Sequence, residues 1–440
     1  MGIMARACMP IATLPVAAAA PSAAATPRDA AERKSTRSGR VLVLGGTGRV
    51  GGSTATALSK LRPDLNILIG GRNREKGKSL ASKLGKQSEF VQVDIHDARM
   101  LEEALHGVDL VVHAAGPFQR EKCTVLEAAI STKTSYVDVC DDTDYSWRAK
   151  GLHEQAKASG VAALTTAGIC PGVSNGVHVL MIQLMAAELV HVVRNENVGE
   201  PERLRFFYYI AGSGGLGPTA LATTFLLLGE DVIAYNKGKE IRLGPYTGAM
   251  NTDFGKGVGK KNAYLLNLPE VKSAFKVLGV PTVSARFSAD PFFWNWGMQA
   301  FTNIFPIEYL GDKNKVPKLV EVVDPFVRAI DCIVGERISM RVDLECSNGQ
   351  NIIGLFTHRK LSVSVGYATS AFVLAVLEGN TRPGVWFPEE PDGIAIEARK
   401  LLLERATQGT TNFIMNNRTS RPPWMVETGT NDEVCLRIYV

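Results

Sequence analysis

Three glycines in one short segment could bring the backbone close to a phosphate group. The segment Gly45-Gly46-Thr47-Gly48-Arg49-Val50-Gly51 follows an apolar run at residues 41–44. In a strand–turn–helix, the first glycine of this spacing permits the tight turn, the second lets the backbone approach a pyrophosphate, and the third lets the helix pack on the strand. The helix N-terminus then offers free N–H groups to the anion. The spacing predicts a dinucleotide site at Gly46, Thr47, Gly48, Arg49, Val50 and Gly51.

The residues that follow the second predicted strand indicate which dinucleotide binds. A site for NAD usually has a carboxylate there, which accepts a hydrogen bond from the ribose 2′-hydroxyl. This chain has Arg72, Asn73 and Arg74 instead, with Lys76 close behind. A carboxylate would repel a 2′-phosphate, whereas a guanidinium binds it through two parallel hydrogen bonds. The substitution therefore predicts NADP(H), with Arg72 as its main ligand.

Two further turns complete the predicted cofactor site. Asp94 and Ile95 follow the third strand, where the Asp94 carboxylate either receives the adenine amino group or caps a helix. The fourth strand runs into the small residues Ala114, Ala115, Gly116 and Pro117. Ligands of such sheets bind outside the carboxyl ends of the strands. We therefore expect residues 114–117 to lie beside the transferred hydride.

Candidate catalytic groups follow the fifth and sixth strands. Asp141 and Asp142 either bind a substrate amine and relay a proton or cap the next helix. Cys170, in a Pro-Gly turn, either contacts substrate or is a buried small side chain. Three arginines, Arg205, Arg286 and Arg359, are available to bind carboxylates. His178 on an apolar helix is interpreted as a core residue.

The elements that would position these residues alternate between short strands and helices, as in a doubly wound parallel sheet. Six strands are predicted between residues 41 and 165. Beyond Gly168 long helices are joined by a strand at 205–210 and by a hairpin of residues 338–346 and 351–365. Residues 292–296 (Phe-Phe-Trp-Asn-Trp) are interpreted as core rather than as a pocket or interface lining. The predicted fold is α/β: an N-terminal Rossmann domain (doubly wound parallel sheet) with a second α+β domain.

Length and composition set the domain organisation. A chain of 440 residues exceeds what one core usually supports, about 250 residues. Residues 1–38 are rich in Ala and poor in acids, which is typical of a transit peptide, with a disordered N-terminus as the alternative. We expect import into the chloroplast, or into the mitochondrion as second choice. The predicted segments are a leader (1–38), the nucleotide domain (39–170), the α+β domain (171–366), helices that pack back on the nucleotide domain (367–416) and a tail (417–440).

Charge and cysteine usage exclude several classes of partner. The net charge is +5 and no basic groove is interleaved with aromatics, so nucleic acid is not expected. The seven cysteines are scattered without zinc-ligand spacing, which indicates a reducing compartment and no metal. The longest apolar runs are interrupted or shorter than the ~20 residues of a membrane span. We therefore expect a small-molecule substrate and no integral membrane segment.

Four motifs together resemble the saccharopine dehydrogenase family in its NADP-binding, reductase-like branch: GGTGRVGG, HAAGPFQ, SYVDVCDDTDY and AGICPGVSN. Residues 212–218 and the segment GVWFPEE at 384–390 resemble a plant and bacterial subgroup of that family. The resemblance implies reduction of an imine between an amine and a keto acid, with NADPH as hydride donor, and a second domain that dimerises through its sheet. Cys170 departs from the reductases, which carry a carboxylate at that point of a GxDPG-like segment.

The sequence thus predicts an NADP(H)-dependent oxidoreductase that acts on a C–N bond of an amino-acid-derived metabolite. Two alternatives stay open. One is a non-catalytic NADP(H)-binding redox sensor or scaffold, because a fold alone does not decide function. The other is reduction of a larger apolar carbonyl or alkene, which the apolar helices after Pro218 would accommodate.

Overall fold

The computed structural model describes residues 39–116, 118, 121–140, 142–166, 178–196, 199–211, 218–312 and 315–419. The predicted leader at residues 1–38 lies outside the described residues, as does the part of the predicted tail beyond residue 419. Within the described part of the chain, no helix has the length and apolar character needed to cross a membrane, and no three or more His, Cys, Asp or Glu side chains group as metal ligands would.

The first sheet contains seven parallel strands in the order β15-β6-β5-β4-β1-β2-β3. They are β1 (Arg40–Leu44), β2 (Asn66–Gly71), β3 (Ser88–Gln92), β4 (Leu110–His113), β5 (Ser135–Asp138), β6 (Ala162–Leu164) and β15 (Gly384–Trp386). Strands β1 and β4 are almost entirely buried, as the continuous apolar runs of a parallel sheet covered on both faces require.

Helices connect the strands of this sheet. They are α1 (Arg49–Leu61), α2 (Arg74–Leu84), α3 (Ala98–Leu105), α4 (Thr124–Ser131), α5 (Thr143–Lys150) and α6 (His153–Ala158). Polar side chains fix where several of them begin. Asn73, Asp97 and Asp142 each accept a hydrogen bond from a backbone N–H in the first turn of α2, α3 and α5. Such caps satisfy N–H groups that have no partner within the helix.

The second sheet contains nine strands in the order β10-β11-β12-β7-β13-β14-β16, with β8 on β12 and β9 on β8. Its strands are β7 (Pro201–Ala211), β8 (Val232–Asn236), β9 (Lys239–Leu243), β10 (Met250–Asp253), β11 (Lys260–Leu265), β12 (Thr282–Asp290), β13 (Arg337–Cys346), β14 (Asn351–His358) and β16 (Asn412–Thr419). β12 and β7 are parallel, and the other pairs are antiparallel. This α/β arrangement confirms the predicted fold class.

The remaining helices come after β6 in the chain. They are α7 (His178–Asn195), α8 (Pro218–Leu228), α9 (Pro269–Ser273), α10 (Phe292–Ile304), α11 (Ile307–Leu310), α12 (Val316–Val334), α13 (Leu361–Leu377) and α14 (Ile396–Ala406), with a π-helical turn at Ala274–Leu278. α7 packs on β7, β13 and β14. The alternation of these strands places apolar side chains such as Phe206 and Val342 on one face.

Helix α13 packs closely against α1, the helix that follows the glycine segment. A Cβ atom on Gly366 would stand 2.5 Å from the backbone oxygen of Ser53, so only glycine allows this approach. Ser370 donates a hydrogen bond to the Thr54 carbonyl at 3.2 Å. Nearly every residue of α13 is buried, which is typical of a helix enclosed on all sides.

Several predicted details of the elements were wrong. The first sheet has a seventh strand, β15, which the sequence did not indicate. β14 ends at His358, and residues 361–365 begin α13 instead of continuing the strand. The aromatic run at 292–296 begins α10 and is not core: Phe292 and Trp296 are each 62% exposed, because Asn295 and Met298 form the buried face of this helix.

Candidate functional site

The glycine segment forms a tight turn between β1 and α1. Gly45 has a φ of +74°, and a Cβ there would lie 2.4 Å from the Ala114 carbonyl oxygen. The left-handed residue is therefore Gly45. A Cβ on Gly46, to which the sequence assigned the tight turn, would lie 2.8 Å from the Ile69 side chain. A Cβ on Gly51 would lie 2.4 Å from the Gly45 oxygen, so the start of α1 packs closely on the turn.

The N-terminus of α1 points to an anion ligand. Gly48 is the N-cap, so no side chain accepts from the first N–H groups, and no acidic residue occurs in the first turn. Gly48 and Arg49 are exposed. A helix start with free donors and no nearby carboxylate attracts a negatively charged group through both hydrogen bonds and the helix dipole. This geometry fits the pyrophosphate of a dinucleotide.

Three cations cluster after the end of β2, where the sequence predicts the 2′-phosphate. Arg72, Arg74 and Lys76 are exposed, and no ion pair joins any of them to another residue that the structure describes. The Asn73 side chain caps α2 by accepting from the Lys76 N–H at 2.9 Å. Asn73 therefore fixes the helix start beside the cations, with its side-chain oxygen already occupied.

An open groove of about 490 Å³ joins the glycine turn to α2. Its lining combines the turn with one face of that helix: Gly46, Thr47, Gly48, Gly52, Glu75, Lys76, Ser79, Leu80 and Lys83. Two lysines and one glutamate give the groove a positive excess. The groove therefore suits the phosphate-bearing adenosine half of NADP(H).

The next two turns occupy the positions that the sequence assigns to adenine and nicotinamide. The Asp94 carboxylate accepts from the His96 N–H at 3.1 Å, while Asp97 caps α3, so Asp94 is not the cap of that helix. Ala114 donates to the Leu44 carbonyl at 3.0 Å, which holds residues 114–116 against the glycine turn. Ile95 is half-buried, and Pro117 lies outside the described residues.

A buried carboxylate that the sequence analysis missed ties together the ends of β5 and β6. Asp138 is fully buried, and its oxygens accept from the Cys140 N–H at 3.0 Å, the Thr166 N–H at 2.8 Å and the Thr165 hydroxyl at 2.9 Å. Burial raises its pKa to about 6, although these donors act in the opposite direction. Thr166 has a φ of +61°, so Asp138 holds a strained turn where the chain enters the AGICPGVSN segment.

Buried aromatic side chains and a histidine lie near this carboxylate, which Tyr136 hydrogen-bonds and which His113 faces across the strands. The hydroxyls of Tyr136 and Tyr145 are 3.3 Å apart, and burial raises the pKa of both phenols. His113, at the end of β4, is buried with its ring 4.7 Å from that of Phe118. Burial lowers the pKa of His113 to about 3, so its ring is neutral. Its Nδ1 finds no hydrogen-bond partner among the described residues.

The predicted catalytic residues have different outcomes. Asp142 caps α5 and accepts from the Tyr145 N–H at 2.7 Å, which is the structural alternative that the sequence left open. Asp141 and Cys170 lie outside the described residues, as do residues 212–217 and the side chain of His178. Arg359 is exposed. A sequence signal for Asp138 existed in the SYVDVCDDTDY motif, but the later aspartates looked equally suitable.

The GVWFPEE segment connects the two sheets. Its first residues form β15 on the edge of the first sheet. The Lys150 Nζ atom lies 4.6 Å from the centre of the Trp386 ring and 2.5 Å from a carboxylate oxygen of Glu390. The neighbouring Glu389 is buried and accepts from Gln183 of α7 at 3.3 Å. Burial raises the pKa of Glu389 to about 7. The segment therefore fastens the edge of the nucleotide sheet to the helix that covers the second sheet.

Comparison with known proteins agrees with this geometry. Residues 41–164, from β1 to β6, match the family described as saccharopine dehydrogenase NADP binding domain. The chain is 38% identical over 77 residues to Prestalk A differentiation protein A from Dictyostelium discoideum; this stretch is 18% of the chain and 25% of the relative. The chain therefore spans about a quarter of that relative's length.

The fold is also similar to a solved structure, the apo histidine-tagged saccharopine dehydrogenase (L-Glu forming) from Saccharomyces cerevisiae. The TM-score is 0.62 at 14% identity, with 87% of this chain and all of the yeast chain covered, so the likeness concerns the fold. The family match confirms the NADP(H) cofactor predicted from Arg72. With its glycine turn, its cations after β2 and this match, the chain carries at residues 41–164 a domain that matches the saccharopine dehydrogenase NADP binding domain.

Proposed function

We propose that the chain is an NADP(H)-dependent oxidoreductase that transfers a hydride at a C–N bond of an amino-acid-derived metabolite. One observation carries the cofactor half of the proposal. Exposed Arg72, Arg74 and Lys76 stand where a site for NAD would have an acid, next to a groove that leads to an uncapped helix N-terminus. Free cations here favour a ligand with both a pyrophosphate and a 2′-phosphate.

The chemistry assigned to the site divides between cofactor and protein. When bound, NADPH supplies the hydride. The backbone of residues 114–116 provides close approach at the carboxyl ends of β1 and β4. Asp138 acts as a positioning residue, because its fully buried carboxylate holds the Thr166 turn and is sealed from solvent. The unpartnered Nδ1 of His113 is a polar atom that a ligand at this edge can satisfy.

The C–N specificity rests on the family resemblance and on the strand-end site, where a keto acid and an amine can meet beside the nicotinamide. A large apolar substrate would need a long apolar pocket in the second domain, near the helices after Pro218. Turnover distinguishes the enzyme from a sensor: an enzyme consumes NADPH with at least one keto acid plus amine pair, whereas a sensor binds NADPH without consuming it.

The cofactor assignment is tested by titrating the purified chain with NADPH and NADH, followed by fluorescence or calorimetry. Arg72→Asp removes a charged hydrogen-bonding group worth ~1.5–3 kcal/mol and adds a repulsive charge, so NADPH affinity should fall about 30- to 100-fold while NADH affinity is retained. Arg99→Asp is the matched control, because Arg99 is 89% exposed on α3.

Each result of this titration has a defined meaning. A clear preference for NADPH that disappears in Arg72→Asp and persists in Arg99→Asp supports the assignment and justifies a screen of imine-forming pairs by the absorbance of NADPH. Equal affinity for both cofactors in the wild type, or equal losses in both variants, contradicts the role of Arg72. Failure of both cofactors to bind refutes the oxidoreductase proposal as a whole.

A further inference from the structure

The second sheet has one apolar face and one face that carries many charged side chains. Residues opposite one another in the strand register point to the same side. Arg205 of β7 lies between Asp343 of β13 and Ser284 of β12. One step along the same face, Phe207 lies between Arg341 and Arg286. Arg203 and Glu345 precede them in the same alternation, so this stretch of the face, from residue 203 to residue 207 of β7, collects four arginines and two carboxylates.

The ion pairs on this face leave its positive charges in excess. Arg341 and Asp343 form a closed, buried pair at 2.6 Å. Arg203 and Arg205 share the single carboxylate of Glu345, at 2.9 and 3.2 Å. In this set four guanidinium groups therefore share two carboxylates, which gives an excess of two positive charges.

Of these four arginines, Arg286 is the one whose side-chain hydrogen bonds go only to neutral groups. Its Nε donates to the Gly248 carbonyl at 3.1 Å, and one terminal nitrogen donates to the Ser284 hydroxyl at 3.0 Å. Among the described residues it forms no ion pair. A guanidinium carries five N–H donors in a planar fork, so Arg286 retains donors for a further acceptor.

The environment makes this excess charge unfavourable without a ligand. The Arg205 side chain is 11% exposed, and Arg203, Ser284 and Arg286 are half-buried. Burial lowers the pKa of Arg286 to about 10, and the positive charge of Arg205 acts in the same direction. The two guanidinium groups therefore lie within electrostatic reach of each other while water covers them only partly. Partly desolvated like charges attract an anion that can lie between them.

We propose that Arg205 and Arg286, with Arg203 and Ser284 beside them, form a binding site for a small polyanion whose ligand atoms are carboxylate or phosphate oxygens. This polyanion site lies on the second sheet and shares no residue with the nucleotide site on the first. The fork of Arg286 offers two parallel donors to such an oxygen pair, and the Ser284 hydroxyl provides a neutral contact.

The test uses the full chain and two probes, inorganic phosphate and citrate, at constant ionic strength maintained with NaCl. At concentrations near ten times Kd, either probe should raise the thermal midpoint of the wild type by about 2–4 °C. Arg286→Gln should lose this rise. Arg242→Gln, which removes the same charge from a 69% exposed position on β9, should retain it. Arg286→Lys keeps the charge without the fork and should weaken Kd about tenfold.

Repeating the titration with saturating NADPH separates the two anion sites. A rise that persists with NADPH and is lost only in Arg286→Gln supports the polyanion site, and the probe with the lower Kd identifies the preferred oxygen chemistry. A rise that NADPH abolishes, or that is equal in Arg286→Gln and Arg242→Gln, overturns it. If NADPH does not bind at all, the proposed function fails, but the comparison of the two glutamine variants still decides the polyanion site.

Discussion

Replacing Asp138 with asparagine should stabilise the protein at alkaline pH. The substitution removes a charge from a fully buried site and can keep the hydrogen bonds to Cys140, Thr165 and Thr166. The oxygen of the introduced carboxamide can accept from the N–H groups of Cys140 and Thr166, as Oδ1 of the carboxylate does now. The carboxamide nitrogen can donate to the Thr165 hydroxyl, which then changes from donor to acceptor.

The size of the effect follows from the pKa of Asp138. Burial raises this pKa from 3.8 to about 6, which corresponds to about 3 kcal/mol at ~1.4 kcal/mol per pH unit. Because the pKa is raised in the folded state, the protonated carboxyl contributes stability below pH 3.8 that is lost as pH rises through about 6. Between about pH 4.5 and pH 8 the wild type should therefore lose about 2 kcal/mol more unfolding free energy than Asp138→Asn.

Urea denaturation of both proteins at about pH 4.5 and pH 8 measures this difference. Other buried titratable groups, such as His113 and Glu270, are common to both proteins and cancel in the comparison. Asp138→Ala is the contrasting variant: it orphans the N–H groups of Cys140 and Thr166 and should lose ~2–5 kcal/mol at either pH. NADPH affinity should not change in Asp138→Asn. If Asp138→Asn loses as much stability with rising pH as the wild type, the burial argument for this carboxyl is wrong.

Two further substitutions test the packing between the sheets. Gly366→Ala should lower the unfolding free energy by ~1–3 kcal/mol, because the added Cβ would meet the Ser53 carbonyl oxygen at 2.5 Å. The control Gly297→Ala, whose added Cβ would have no atom within 4 Å, should raise the unfolding free energy by up to ~1 kcal/mol. Equal changes of the two variants in urea denaturation would contradict the close approach of α13 to α1. Glu389→Gln should reduce the loss of unfolding free energy as pH rises through about 7, which is the pKa of this buried carboxyl. The exposed control Glu308→Gln should follow the wild type. Indistinguishable pH profiles for the two variants would contradict the role of the buried Glu389 carboxyl.

The sequence was most informative where backbone geometry restricts residue type. Cβ atoms on Gly45 and Gly51 would lie 2.4 Å from the Ala114 and Gly45 oxygens, so this turn tolerates only glycine at both positions. The glycine motif therefore predicts the fold of the nucleotide domain. The cations after β2 were equally informative, because positive charge at that position favours a ribose 2′-phosphate over a 2′-hydroxyl. The spacing assigned the tight turn to Gly46 but did not indicate that the neighbouring Gly45 has the positive φ.

The sequence was least informative where distant packing decides local structure. Residues 361–365 (Leu-Ser-Val-Ser-Val) alternate like a strand, but they begin a helix that α1 and α14 enclose. β15 is only three residues long, too short for any period to be recognised. Asp138 accepts hydrogen bonds from Thr165 and Thr166, which follow another strand and are distant in sequence. No local pattern distinguishes Asp138 from the aspartates that follow it.

The position of β15 has a consequence for how the protein is made. The first six strands of the nucleotide sheet are complete at Leu164, but β6 receives its second partner only when Gly384–Trp386 has been synthesised. Until residues 384–386 have been made, a growing chain on the ribosome presents the outer edge of β6 unpaired, and helix α1 is not yet covered by α13. The outer edge of the nucleotide sheet therefore depends on a pairing between residues more than two hundred positions apart, and it is completed only after residues 384–386 have been translated.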